Sequence, residues 1–180
     1  GIPRSLRALH RAERCKLVGR KALNARAGVG LVWLVCDATA SRQPSWDRAA
    51  RVQGQMFVEA ERLGGPEVQL VYYRGFAECR ASRWVDRPGA LVRLMTGVMC
   101  RAGETQIARV LRHAQKQATE GRVHALVFVG DACEESLDEL AGIAGELGLR
   151  GVKAFLFREG GDPKAAQAFA RIAELTGGAH

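Results

Sequence analysis

Residues 29–41 read VGLVWLVCDATAS: an apolar run from Val29 to Cys36, broken only by Gly30, that ends on Asp37 and opens into a hydroxyl-rich segment. A short, nearly continuous apolar stretch of this kind is the pattern of a central parallel strand covered on both faces. A second run of the same character, VHALVFVG from Val123 to Gly130, also ends on an aspartate, Asp131.

Around these runs, elements of two periods alternate. Pro44 opens a helical stretch in which Trp46, Ala49, Ala50, Gln53, Met56, Phe57 and Ala60 follow a helical repeat to Leu63, where Gly64 and Gly65 stop it. Val68 to Tyr73 reads as a strand. Gly75 makes a turn, and Phe76 to Ala81 reads as a short antiparallel edge strand after a tight hairpin. Pro88 begins a short helix through Met95. Residues 97–104 are a loop, and Thr105 precedes a helix to about Glu120. Glu134 to Leu147 reads as helix, Val152 to Phe157 as strand, and Pro163 opens a last helix closed by Thr176, Gly177 and Gly178. Strands alternating with helices predict an α/β sheet with right-handed crossovers. The one boundary falls near Ala27 and Gly28, which divides the chain into an extension, 1–28, and a body, 29–180.

Composition narrows the function classes. The chain has 180 residues, 47% hydrophobic and 26% charged, which excludes collagen, a coiled-coil rod or wholesale disorder. Its longest apolar run is far short of the roughly 20 residues that span a bilayer. The N-terminal stretch has basic residues throughout and no apolar core, so it does not read as a secretory signal. The net charge of +8 is uneven: residues 1–28 hold eight Lys/Arg against Glu13, or +7, and the body carries 19 basic against 18 acidic residues, or +1. Such an extension suits a solvated tail or an anionic surface, but it carries no aromatic platform for stacking bases. Five cysteines, Cys15, Cys36, Cys79, Cys100 and Cys133, are odd in number and widely spaced, without a C-x-x-C. They form neither a disulfide framework nor a zinc site, and reduced thiols in a cytoplasmic protein are expected.

Three signals stand just beyond strand carboxyl ends, where a doubly wound sheet carries its chemistry. They are Asp37-x-Thr39-x-Ser41 after the first strand, Thr105 in the loop before a helix, and Asp131 after VHALVFVG. Two carboxylates and three hydroxyls make a hard oxygen set, which suits Mg²⁺ or Mn²⁺ and not Zn²⁺. Taken singly, Thr105 and Asp131 also read as helix caps.

In order and separation the set Asp37, Thr39, Ser41, Thr105 and Asp131 resembles the metal-ion-dependent adhesion site of von Willebrand factor A-like (VWA) domains, with Thr39 where that motif usually has Ser. The resemblance covers 29–180. It implies a Rossmann-like, doubly wound, mostly parallel sheet with a short antiparallel edge strand and helices on both faces. It further implies Mg²⁺ (or Mn²⁺) bound directly by Ser41 and Thr39, directly or through water by Thr105, and directly or through waters by Asp37 and Asp131. The fold of that family continues with one more strand and helix, and this chain stops at His180, where that strand would begin. The implied activity is non-enzymatic. A partner protein's Asp or Glu completes the coordination, within a larger assembly or beside an ATPase.

Two other readings use the same residues. A phosphohydrolase of the haloacid dehalogenase type would make Asp37 a nucleophile. It needs an Asp where Thr39 stands, and a Lys for which Lys116, mid-helix, is the available residue. A nucleic-acid-binding adaptor would act through residues 1–28. No phosphate-binding glycine motif is present. Finally, Val71 to Phe76, with Arg80 and Trp84, offers a polar and aromatic surface near one sheet edge, although Tyr72 or Tyr73 also suits a core position.

Overall fold

The computed structural model describes residues 32–38, 46, 50, 51, 53–55, 57, 58, 67–120 and 123–180, the backbone alone for 32–37. The extension 1–28 and the residues Thr39 and Ser41 lie outside them. Among the described residues the chain runs β1 (Val32–Asp37), β2 (Val68–Arg74), β3 (Glu78–Val85), α1 (Pro88–Thr96), α2 (Ile107–Thr119), β4 (Ala125–Gly130), α3 (Leu137–Leu149), β5 (Lys153–Arg158) and α4 (Pro163–Thr176). Helical residues between 46 and 58 stand in the β1–β2 connection.

The sheet order is β3-β2-β1-β4-β5. β1 lies between β2 and β4 and pairs with both in parallel, as its apolar run predicts. β5 is parallel to β4, and β3 is antiparallel to β2. Side chains alternate between two covered faces. Val71, Tyr73, Leu126, Phe128, Ala154 and Leu156 meet α2, α3 and α4. Val68, Leu70 and Val127 meet Trp46, Ala50, Phe57 and the α1 residues Leu91 and Met95. This is the doubly wound arrangement expected from the sequence. Trp46 fastens the second layer, its Nε1–H donating to the Met95 carbonyl at 2.9 Å in a buried bond. No helix among the described residues is long and apolar enough to cross a membrane.

Three boundaries differ from the sequence reading. The turn takes Gly75 to Ala77, with Gly75 at φ +61°, so β3 starts at Glu78 and runs on to Val85. It contains a bulge, because Gln69 opposes Trp84 while Val71 opposes Ala81. Ser82 repairs the ladder there: its Oγ accepts from Leu70 N–H, and its carbonyl accepts from Gln69 Nε2. α2 begins at Ile107, after Gln106. α3 begins at Leu137 behind the N-cap Ser136, so Glu134 and Glu135 stay in the loop. After α4 the chain returns to the sheet, where Ala179 forms a parallel bridge to Phe155 beside β5.

Of the two tyrosines, Tyr73 is fully buried in the core and stacked near Phe128. Tyr72 is half-buried on the other face, with the Arg74 guanidinium 5.5 Å from its ring centre.

Candidate metal centre

β1 connects onward to β2 on one side of it, and β4 connects onward to β5 on the other. The carboxyl ends of these two neighbouring strands therefore bound the crevice at the topological switch point, the place where open α/β sheets bind ligands. Cys36 pairs with Val129, so Asp37 is level with Gly130 and Asp131 follows one residue later. Both aspartates leave the sheet on adjacent strands, whose axes are about 4.8 Å apart.

The third component reaches the same crevice through hydrogen bonds. Ala38 N–H donates to the Tyr73 carbonyl, and its own carbonyl accepts from Arg101 N–H at 3.0 Å, which holds the 97–106 loop against the end of β1. Thr105 is buried and locked to the β4–α3 loop by a reciprocal pair. Its N–H donates to Glu134 Oε2, and its Oγ1 accepts from Glu134 N–H, both at 2.9 Å. That hydroxyl oxygen keeps a second lone pair and its proton.

The helix-cap readings of Thr105 and Asp131 do not hold. The N-cap of α2 is Gln106, whose side chain turns away to donate to the carbonyls of Arg74 and Gly75. α3 is capped by Ser136. Asp131 is half-buried, and its Oδ1 is buried with no hydrogen-bond partner among the described residues. An unpartnered buried carboxylate oxygen is costly unless something pairs with it. Asp131 Oδ1 and Thr105 Oγ1 are hard donors, and they fit Mg²⁺ or Mn²⁺. The Asp37 side chain, Thr39 and Ser41 lie outside the described residues. No three His, Cys, Asp or Glu side chains converge into a metal cluster among those described.

Several residues that hold this place together were not singled out from the sequence. Glu135 closes the N-terminus of α2, its Oε2 accepting from Ile107 N–H at 2.6 Å and its Oε1 from Ala108 N–H at 2.8 Å. This satisfies two of the orphan donors of the first turn and sets a carboxylate at the positive end of the helix dipole. Asp162 bridges two elements. It accepts from Lys164 and Ala165 N–H as the cap of α4 and from Cys133 N–H in the β4–α3 loop. These N–H donors, Cys133 foremost, hold its carboxyl below the usual carboxylate range. The Lys164 ammonium donates to the Glu134 carbonyl at 2.8 Å. Burial pushes the Cys133 thiol up, away from reactivity. The sequence signals were present in Glu134-Glu135-Ser136 directly after Asp131 and in Asp162-Pro163.

The lysine that the hydrolase reading would use stands away from the crevice. Lys116 is in the last turn of α2, about 14 Å along the axis from the end that faces the crevice. His113 is on the same helix, its pKa lowered by burial. His124 precedes β4, at the opposite end of the sheet.

No protein-family model matches the sequence, and no curated protein matches it. Solved structures do resemble the fold. The VWA domain of SpRpn10 superposes with a TM-score of 0.64 at 13% identity, over 85% of this chain and 86% of that one. The manganese-loaded TRAP protein of Plasmodium vivax superposes with a TM-score of 0.53, also at 13% identity, over 82% of this chain and 74% of that one. The chain thus has the fold of VWA domains.

Proposed function

We propose that the chain is a non-enzymatic, divalent-metal-dependent protein-interaction module of the cytoplasm. In this reading Mg²⁺ or Mn²⁺ is held by Asp37, Thr39, Ser41, Thr105 and Asp131. The observation that carries it is the buried Oδ1 of Asp131, without a hydrogen-bond partner among the described residues, on the strand next to the end of β1 and in the loop to which Thr105 is tethered. The manganese-loaded neighbour of the same fold supports it. A cation held largely by neutral hydroxyls keeps much of its charge, and it would supply an open position for a partner's Asp or Glu. The chain's own residues do the rest. β1 and β4 set the two aspartates side by side, and Glu134 and Glu135 fix the loop that carries Thr105. Among the described residues, the distance of Lys116 from the crevice disfavours the hydrolase alternative.

The test is calorimetric titration of Mg²⁺ and Mn²⁺, with acetate present to occupy the open position, into the wild type and Asp131→Asn. Asparagine keeps the shape and removes the charge. Binding by the wild type that the folded variant loses supports the reading. Equal binding by both, or none by the wild type, overturns it.

A further inference from the structure

A second surface borders this crevice and is built for contact. Among the described residues the large exposed hydrophobic side chains are Val58, Phe76, Met99 and Leu149. Two of them, Phe76 and Met99, about three-quarters exposed, lie on loops that are laced together. Phe76 is at the tip of the β2–β3 turn. Arg74, at the root of that turn, donates from Nη1 to the Met99 carbonyl at 2.7 Å. Arg74 also grips Glu78 with two bonds of 2.9 Å.

The turn is pinned from every side. Gly75 O accepts from Glu104 N–H and Gln106 Nε2, and Ala77 O accepts from Arg109 Nη1. Gly103 lies so close that a Cβ there would fall 2.0 Å from the Gly75 oxygen. Phe76 is therefore presented on a rigid support, which lowers the entropy lost when a partner orders it.

The charge around it is unbalanced. Glu78 faces three guanidiniums: Arg74, Arg80 at 3.2 Å and Arg101 at 3.9 Å. Arg74 already satisfies the carboxylate in a bidentate pair, and the side chains of Arg80 and Arg101 are 68% and 65% exposed. Four arginines that hold or border this turn, Arg74, Arg80, Arg101 and Arg109, stand against Glu78 and Glu104, or +2. A cationic rim around exposed aromatic and thioether side chains is the composition of a contact surface.

We propose that Phe76, Met99, Arg80 and Arg101 form a docking surface for an acidic protein segment that carries apolar side chains among its carboxylates. The apolar side chains cover Phe76 and Met99, and the carboxylates pair with Arg80 and Arg101. A nucleic acid fits less well, because Glu78 at the centre of the arginines opposes a continuous run of phosphates. The surface uses none of the candidate metal ligands, so it stands whether or not the crevice binds a cation.

The test is fluorescence anisotropy with a labelled peptide of alternating Glu and Leu, in EDTA throughout so that the metal reading does not enter. The full chain should bind the peptide and not its Gln-for-Glu analogue. Arg80→Ala/Arg101→Ala should weaken binding by about fivefold or more. Phe76→Ser/Met99→Ser should weaken it by about tenfold. Arg87→Ala/Arg93→Ala, which removes the same charge from exposed positions elsewhere, should stay within about twofold of wild type. These side chains are exposed, and circular dichroism confirms that each variant is folded. The proposal is overturned if the wild type does not bind, if both arginine pairs have equal effects, or if labelled oligothymidylate binds more tightly through the same residues. It is equally overturned if sedimentation shows a dimer that Phe76→Ser/Met99→Ser dissolves, since the surface would then serve a second copy of the chain.

Discussion

Replacing Glu135 by alanine removes a carboxylate that accepts two backbone N–H groups at the start of α2. Hydrogen bonds to a charged acceptor contribute about 1.5–3 kcal/mol each, and a negative group at a helix N-terminus adds about 0.3–1 kcal/mol. Glu135 is half-buried, so water replaces part of what is lost. The expected net cost is about 2–3 kcal/mol, or roughly 5–10 °C in Tm for a chain of this size. Glu135→Gln keeps one acceptor and turns an NH₂ toward the other N–H, so it should fall between alanine and wild type. Urea unfolding followed by circular dichroism gives the free energies, and calorimetry gives Tm. The same variants should bind Mg²⁺ more weakly than wild type even where both are folded, because α2 and the Thr105 loop share this anchor. A cost for Glu135→Ala below about 0.5 kcal/mol, the scatter of ordinary surface changes, would refute the claim that this carboxylate holds the helix.

Two further expectations concern other contacts. Asp162 has its carboxyl lowered by the N–H groups of Cys133, Lys164 and Ala165, so its stabilisation is complete at neutral pH. It is lost as the pH falls below the ordinary carboxylate range toward the depressed value. Asp162→Asn should therefore be less stable at pH 7 and show a flatter acid limb, and parallel pH–stability profiles would contradict this. Gly148 lies where α3 meets α4, and a Cβ there would come within 2.1 Å of the Leu175 oxygen, whereas Gly145 has open space around it. Gly148→Ala should cost about 1–3 kcal/mol and Gly145→Ala should gain about 0.5–1 kcal/mol in urea unfolding. The reverse order would show that the helices do not approach at Gly148.

What the sequence discloses and what it hides have physical reasons. β1 and β4 are legible because a strand buried on both faces must be apolar at nearly every position. Their terminal aspartates, Asp37 and Asp131, are legible because a carboxylate cannot continue such a run. The start of α3 differs from the sequence reading for a physical reason. Acidic residues favour the first turn of a helix, so Glu134 reads as the beginning of one. In the fold Glu135 serves the first turn of a different helix, α2, and Glu134 serves Thr105. Local pattern cannot say which helix an acid will cap when the alternative lies about 30 residues away. The length of β3 escaped for a similar reason: its bulge is repaired by Ser82 across the ladder. Of the five candidate ligands, Thr105 and Asp131 are brought to one crevice with the end of β1. Thr39 and Ser41 fall outside the described residues.

The ties that close the crevice share one property. Thr105 to Glu134, Ile107 and Ala108 to Glu135, and Cys133 to Asp162 join residues 27 to 29 positions apart. Each spans one crossover, and none can form within its own loop. Each tie therefore waits for the segment between its two loops to fold back on itself. The crevice is also the region where partial opening should be cheapest, seen as early amide exchange at Thr105 and Glu134 while the β1 and β4 amides stay protected. A partner that grips this end of the sheet would recognise only chains in which these ties have closed.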